Sequence, residues 1–149
     1  MHMLIEETIA VPATAQQLNA IHAALDRFWA KVDATVTRPP DRKWRTRFAT
    51  AVAEIAANII RHAYPDGKEP GSIRLHLCAY PDRVEACFND QGVMFVPPPP
   101  VEDGPEPNPL ELPESGRGLA IAQACLDELE YRRTEEGTNE WRLVKRVSG

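Results

Sequence analysis

No run of about 18 consecutive apolar residues occurs in the sequence, so no membrane-spanning helix is expected. A signal peptide is also missing from the start, Met1-His2-Met3-Leu4-Ile5-Glu6-Glu7, which has acids where an apolar run would be needed; a cytoplasmic protein is expected. Cysteine is scarce: Cys78, Cys87 and Cys125 are an odd set without C-x-x-C spacing, which supports neither a disulfide framework nor a zinc site. Reduced, buried thiols are the expectation. Basic charge is in the minority, with 17 Lys and Arg against 22 Asp and Glu, and no basic stripe interleaved with aromatics is present. Nucleic acid is therefore not expected as a direct ligand. A length of 149 residues leaves room for one ordinary domain, not two.

What is present is unevenly placed. Residues 97–115 hold Glu102, Asp103, Glu106, Glu111 and Glu114 and no base, so the other 130 residues carry 17 acids against 17 bases. The body is neutral and one segment is acidic. Residues 97–113 of that segment also hold eight of the 14 prolines and little that could build a core, so a loop is expected there.

Around it, the hydrophobic period changes along the chain. Ile5, Ile9 and Val11 suggest a first strand over Leu4 to Val11, stopped by Pro12. Thr14 is expected to cap a helix whose apolar residues Leu18, Ile21, Leu25, Phe28 and Val32 recur every three or four positions, and Arg38-Pro39-Pro40 ends it. Asp41 is expected to cap a second helix to about Ala63, with Trp44, Phe48, Val52, Ile55 and Ile59 inward, before the stop Tyr64-Pro65-Asp66-Gly67. The period then drops to two. Ile73, Leu75, Leu77 and Ala79, then Val84, Ala86 and Phe88, predict an antiparallel hairpin around Tyr80-Pro81-Asp82-Arg83. A third helix from Gly116-Arg117-Gly118 to about Asp127 and strands over Glu128–Arg133 and Thr138–Arg146 complete the order. This predicts an α+β fold: a two-layer sandwich with a mixed, mainly antiparallel sheet and helices on one face.

Several residues are candidates for chemistry. Glu54, Asn58 and His62 recur every four residues, each about 6 Å further along one face of helix two. They make either a solvated polar stripe or, because Asn is a poor interior helix residue, an oxygen ligand for a hard cation beside a general base. Asn89-Asp90-Gln91-Gly92 reads as a tight turn or as a carboxylate that accepts a hydrogen bond from an exocyclic amine, with Gly92 letting backbone approach a flat ring. Gly116-Arg117-Gly118 is a loop exit or an anion site at a helix N-terminus. Gly137-Thr138 is first a hairpin signal. Arg38, Arg42, Lys43, Arg45 and Arg47 form a solvated basic face or a docking patch for an acidic protein.

Taken together, Glu54-x-x-x-Asn58, Asp90-x-Gly92, Gly116-x-Gly118 and Gly137-Thr138 resemble in order and separation the N, G1 and G2 boxes of the GHKL ATPase superfamily. Within it, Phe48 to Tyr64, ending His62-Ala63-Tyr64, and Gly116 to Ile121 followed by Leu126 to Tyr131 are similar to the anti-sigma factor serine kinases of the SpoIIAB and RsbW type. The resemblance implies ATP and Mg2+ as cofactors, Asn58 as the magnesium ligand, Glu54 as general base and Asp90 as the adenine reader. It further implies that Gly92 shapes the ring pocket, that Gly116, Arg117 and Gly118 border the phosphates, and that Thr138 lies near the base. The implied activity is transfer of the γ-phosphoryl group to a serine of a STAS-type anti-sigma factor antagonist, with a sigma factor as the other partner and a homodimer as the common assembly. A nucleotide-gated binding module without transferase activity, and a detached histidine-kinase ATPase domain, are the rival readings.

The motif departs from its relatives in one respect. Where many continue Asp-x-Gly-x-Gly-Phe-Asp, this chain has Met94 and Val96 in place of the second glycine and the acid, implying a stiffer hinge for a lid over 97–115.

Overall fold

The computed structural model describes residues 2–64, 71–96 and 114–147. Strand β1 (Ile5–Pro12) leads through a 3-10 turn into α1 (Leu18–Thr35) and α2 (Arg42–His62). Then come β2 (Ser72–Tyr80), β3 (Arg83–Asp90), α3 (Glu114–Cys125), β4 (Glu128–Arg133) and β5 (Asn139–Arg146). The strands form one sheet in the order β1-β2-β3-β5-β4, and every pairing among the described residues is antiparallel, where a mixed sheet was expected. The helices cover one face: α1 packs on β1 and β2, α2 on β3 and β5, and α3 on β4 beside α2.

Alternation along the strands builds the core. Ile73, Leu75 and Leu77 of β2, Val84, Ala86 and Phe88 of β3, and Trp141 and Leu143 of β5 are buried on the helix side. They meet Ile21, Leu25, Phe28 and Val32 of α1 and Phe48, Val52, Ile55 and Ile59 of α2, all buried, so the apolar periods fall where the sequence puts them. Each large side chain removed from water contributes roughly 1.5–3 kcal/mol. Trp29 stacks edge-on against Phe28, Trp44 and Phe48, filling the seam between α1 and α2. The aromatic residues of helix one thus serve the core. Trp44 Nε1 also donates to the Arg146 carbonyl at 2.8 Å, tying the start of α2 to the end of β5.

The cap at Asp41 forms as expected, its carboxylate accepting from the Trp44 amide at 2.8 Å. Thr14 does not cap with its side chain; it is extended and precedes the 3-10 turn Ala15–Gln17, which shifts the start of α1 to Leu18. Strand β1 runs to Pro12, where proline is tolerated because β1 is an edge strand. The third helix starts at Glu114, two residues before the expected glycine, and ends at Cys125. Gly137, with φ +84°, supplies the left-handed turn of the β4–β5 hairpin. Arg38, Arg42, Lys43 and Arg47 of the basic cluster are exposed, and Arg45 alone departs from the solvated-face reading: it pairs with both oxygens of Asp33, donates to the Pro40 carbonyl and lies over Trp29. Of the cysteines only Cys78 is buried; Cys87 and Cys125 are half-buried, and all three are free thiols. The proline-rich loop over 97–113 and the stop at 65–67 lie outside the described residues.

Candidate functional site

Helix α2 is the spine of the site. Its polar stripe is not a solvated one throughout, because Asn58 is buried, while Glu54 is half-buried and His62 exposed. Among the described residues the Asn58 Oδ1 atom has no hydrogen-bond partner, a state that costs free energy unless a ligand supplies the missing interaction. A carbonyl oxygen with both lone pairs free is the donor a hard cation takes. The residue present therefore fits a magnesium ion.

One turn earlier, Glu54 reaches across to α3. A Cβ built on Gly118 would lie 2.7 Å from Glu54 Oε2 and 3.5 Å from Arg61 Nη2, so the absence of a side chain at Gly118 admits both groups to one point. Gly118 is buried, and Gly116 and Arg117 are half-buried in the same first turns of α3. The early amides of a helix lack intrahelical acceptors and carry the positive end of its dipole, which suits an anion. Arg61 was missed by the sequence reading, although Glu54, Asn58 and Arg61 follow the i, i+4, i+7 spacing of one helix face.

At the C-terminal end of α2, a second cluster forms around Asp90. A Cβ on Gly92 would sit 2.1 Å from the Ala63 carbonyl oxygen and 2.5 Å from Ala63 Cβ, so backbone packs directly on the helix end. The Val93 amide donates to that carbonyl at 2.8 Å. Asp90 is buried, and its Oδ1 accepts from the Gly92 amide at 2.9 Å and from Asn139 Nδ2 at 2.8 Å. Burial pushes the Asp90 carboxyl up from its ordinary value, while Asn139, the Gly92 amide and Arg133 pull it back. Burial likewise raises the Tyr64 phenol and, together with Arg61, lowers His62.

Asn139, also missed by the sequence reading, is the centre of this cluster. Its Nδ2 also donates to the Gly92 and Val93 carbonyls at 3.2 and 3.0 Å, and its Oδ1 accepts from Arg133 Nη1 at 2.9 Å and from the Tyr131 hydroxyl at 2.5 Å. Tyr131 in turn accepts from the Phe95 amide at 2.9 Å. Phe95 packs against Tyr131, Trp141 and His62, whereas Met94 and Val96 are 56% and 73% exposed.

Thr138 is not beside Glu54 and Asn58. It lines a cavity of about 710 Å³ with Ala10, Arg74, Asn89, Asp90 and Tyr64. Ala10, Arg74 and Asn89 alternate with core residues, so most of this cavity opens on the sheet face away from the helices, not between α2 and α3.

The site thus combines a buried acid at the end of β3 with an Asn carbonyl that has no partner among the described residues, one turn from a carboxylate that abuts a glycine in the first turns of α3. The histidine kinase-like ATPase domain family matches residues 11–145. The chain belongs to that family. Within this histidine kinase-like ATPase frame, it is similar to the serine-protein kinase RsbW of Staphylococcus aureus (strain JH9), 27% identical over 123 residues that span 80% of this chain and 74% of the relative. The serine-protein kinase RsbW of Staphylococcus epidermidis is 28% identical over 123 residues, with the same shares covered. The resemblance seen in the sequence is thus borne out at the level of the family. No helix among the described residues is long and apolar enough to cross a membrane.

Proposed function

We propose that the protein is an ATP-dependent protein serine kinase that regulates by partner switching, acting on a serine of a STAS-type anti-sigma factor antagonist and holding a sigma factor as its other partner. Membership of the ATPase domain family and similarity to serine-protein kinases support this reading. The observation that carries it is the buried, unpartnered Oδ1 of Asn58 one helical turn from Glu54, whose carboxylate abuts Gly118 in α3. In this reading the chain is a single domain over 1–149, with 97–115 as the ATP lid, and it works as a cytoplasmic protein able to pair with a second copy.

Each residue then has a role. Asn58 holds magnesium, which when bound neutralises charge on the phosphate oxygens. Gly116, Arg117 and Gly118 border the phosphates, with α3 amides as donors. Asp90 accepts from the adenine amine and Gly92 shapes the ring pocket, with Thr138 near the base only at the cavity edge that it shares with Asp90. The serine hydroxyl loses its proton to the Glu54 carboxylate while its oxygen bonds to the γ-phosphorus. The bond from that phosphorus to the β,γ-bridging oxygen breaks, and ADP leaves. Positioning and charge neutralisation supply most of the rate. Arg61, which reaches the same point as Glu54, adds positive charge there.

Incubation with magnesium, radiolabelled ATP and candidate antagonist proteins tests the reading. Label on an antagonist serine that is lost in Glu54→Ala and Asn58→Ala is the expected result. Tight magnesium-dependent ATP binding without transfer would instead establish an ATP- or ADP-gated binding module, and absence of nucleotide binding would overturn both.

A further inference from the structure

The Asn139 side chain is oriented by its partners and not by choice of fit. Arg133 has only donors to offer, so the oxygen of Asn139 must face Arg133 and Tyr131, and the amide nitrogen must face Asp90 and the Gly92 and Val93 carbonyls. Two hydrogens are thereby shared among three acceptors. Asn139 is 2% exposed, so none of these bonds is replaceable by bulk water without opening the cluster.

The consequence falls on Asp90. Among the described residues, both hydrogen bonds received by its carboxylate land on Oδ1, from Asn139 and Gly92. Oδ2 remains the acceptor of the pair. Asp90 lines a cavity, and an acceptor open to it recognises a donor, such as the 6-amino group of a purine, and repels the 6-oxo group that guanine carries in its place. We propose that Asn139 is the positioning residue for base selection: its amide pins Asp90 Oδ1 so that Oδ2 reads a 6-aminopurine, and the same amide holds the backbone leaving the pocket at Gly92 and Val93. This rests on the reading of Asp90 as the base-contacting residue given above.

The ion balance around Asp90 adds a second readout. Among the described residues, the titratable and charged groups around it are Arg133 of β4 and Tyr64 at the end of α2, with Arg74 of β2 lining the same cavity and the Asn139 amide bonding it from β5. Removing Asn139 deletes a hydrogen bond that favours the carboxylate, so the neutral acid persists to higher pH, and a neutral acid can donate to a 6-oxo group. Selectivity then falls and becomes pH-dependent.

The experiment is calorimetric titration of the full chain with magnesium-ATP and magnesium-GTP across pH, for wild type, Asn139→Leu and Asn139→Asp. Asn139→Asp keeps the shape and the bonds from Tyr131 and Arg133 while turning the donor into an acceptor. Asp41→Ala, which loses a helix cap at the far end of α2, controls for lowered stability. Expected is a loss of at least about tenfold in the ATP-to-GTP affinity ratio in both Asn139 variants, with a steeper pH dependence, and an unchanged ratio in Asp41→Ala. A wild type that prefers ATP, with folded Asn139 variants that keep its ratio and pH profile, overturns the role of Asn139 and leaves the nucleotide site standing. Should Asn139→Leu fail to fold, the isosteric Asn139→Asp decides by the same criterion. A wild type that binds neither nucleotide defeats the underlying reading instead.

Discussion

Replacing Gly92 by alanine puts the packing of the pocket on the end of α2 to a direct test. The added methyl would lie 2.1, 2.5 and 2.6 Å from the oxygen, Cβ and carbonyl carbon of Ala63, and two of these are backbone atoms that no rotamer change can move. The two segments must separate by about an ångström, which stretches the 2.8 Å bond from the Val93 amide to Ala63. Overpacking of this kind costs about 1–3 kcal/mol, and the rigid neighbour puts the value at the upper end. For a chain of this size about 3 kcal/mol lowers Tm by roughly 6–12 °C. Gly118→Ala is the matched comparison, because there the nearest atom, at 2.7 Å, is the mobile end of Glu54. The helix gains up to about 1 kcal/mol from alanine over glycine. Gly118→Ala should therefore melt at or above wild type yet lose phosphotransfer, on the order of 100-fold for a base displaced by about an ångström. Scanning calorimetry alongside a transfer assay reads both. A Gly92→Ala protein melting within about 2 °C of wild type would refute the packing argument.

Other consequences follow from the core and the ionised groups. Phe48→Ala, which empties a fully buried site against Trp29 and Trp44, should cost about 3–5 kcal/mol in urea unfolding; a loss under about 1 kcal/mol would mean that the seam between α1 and α2 is loosely packed. The Cys78 thiol, pushed up to about 11 chiefly by burial, should alkylate slowly near neutral pH and faster with each unit of rising pH. Mass-spectrometric site mapping that finds Cys78 modified first would contradict this. Lys31 and then Arg27 hold Glu7 below the ordinary carboxylate range, so its contribution to stability is present above that range and vanishes as pH falls through the lowered value. Glu7→Gln should accordingly lower Tm near pH 7 and leave it unchanged near pH 2, and a pH-independent difference would argue against the ion pair.

Much of the fold was legible because it depends on local rules. The Asp41 cap, the apolar stripes of α1 and α2 and the two-residue turn joining Tyr80 to Arg83 all follow from near neighbours. So did the separate site motifs, since Glu54 and Asn58 share a helix face and Asp90 ends a strand. Asn139 was not legible: its partner Asp90 lies 49 positions away, and a lone Asn in a strand says nothing until β3 and β5 are paired. Arg45 misled for the same reason, as its neutralising partner Asp33 sits on another helix. Thr14 carried the right residue type for a cap, but the chain inserts a 3-10 turn that takes the helix start out of its reach.

The most direct test of the account is calorimetry of ATP binding to wild type and Asn58→Ala, with and without magnesium. If the buried Asn58 oxygen is the metal ligand, wild type binds ATP much more tightly with magnesium, and Asn58→Ala, still folded, loses that dependence. Equal magnesium dependence in the two proteins, or no ATP binding by the wild type, would contradict it.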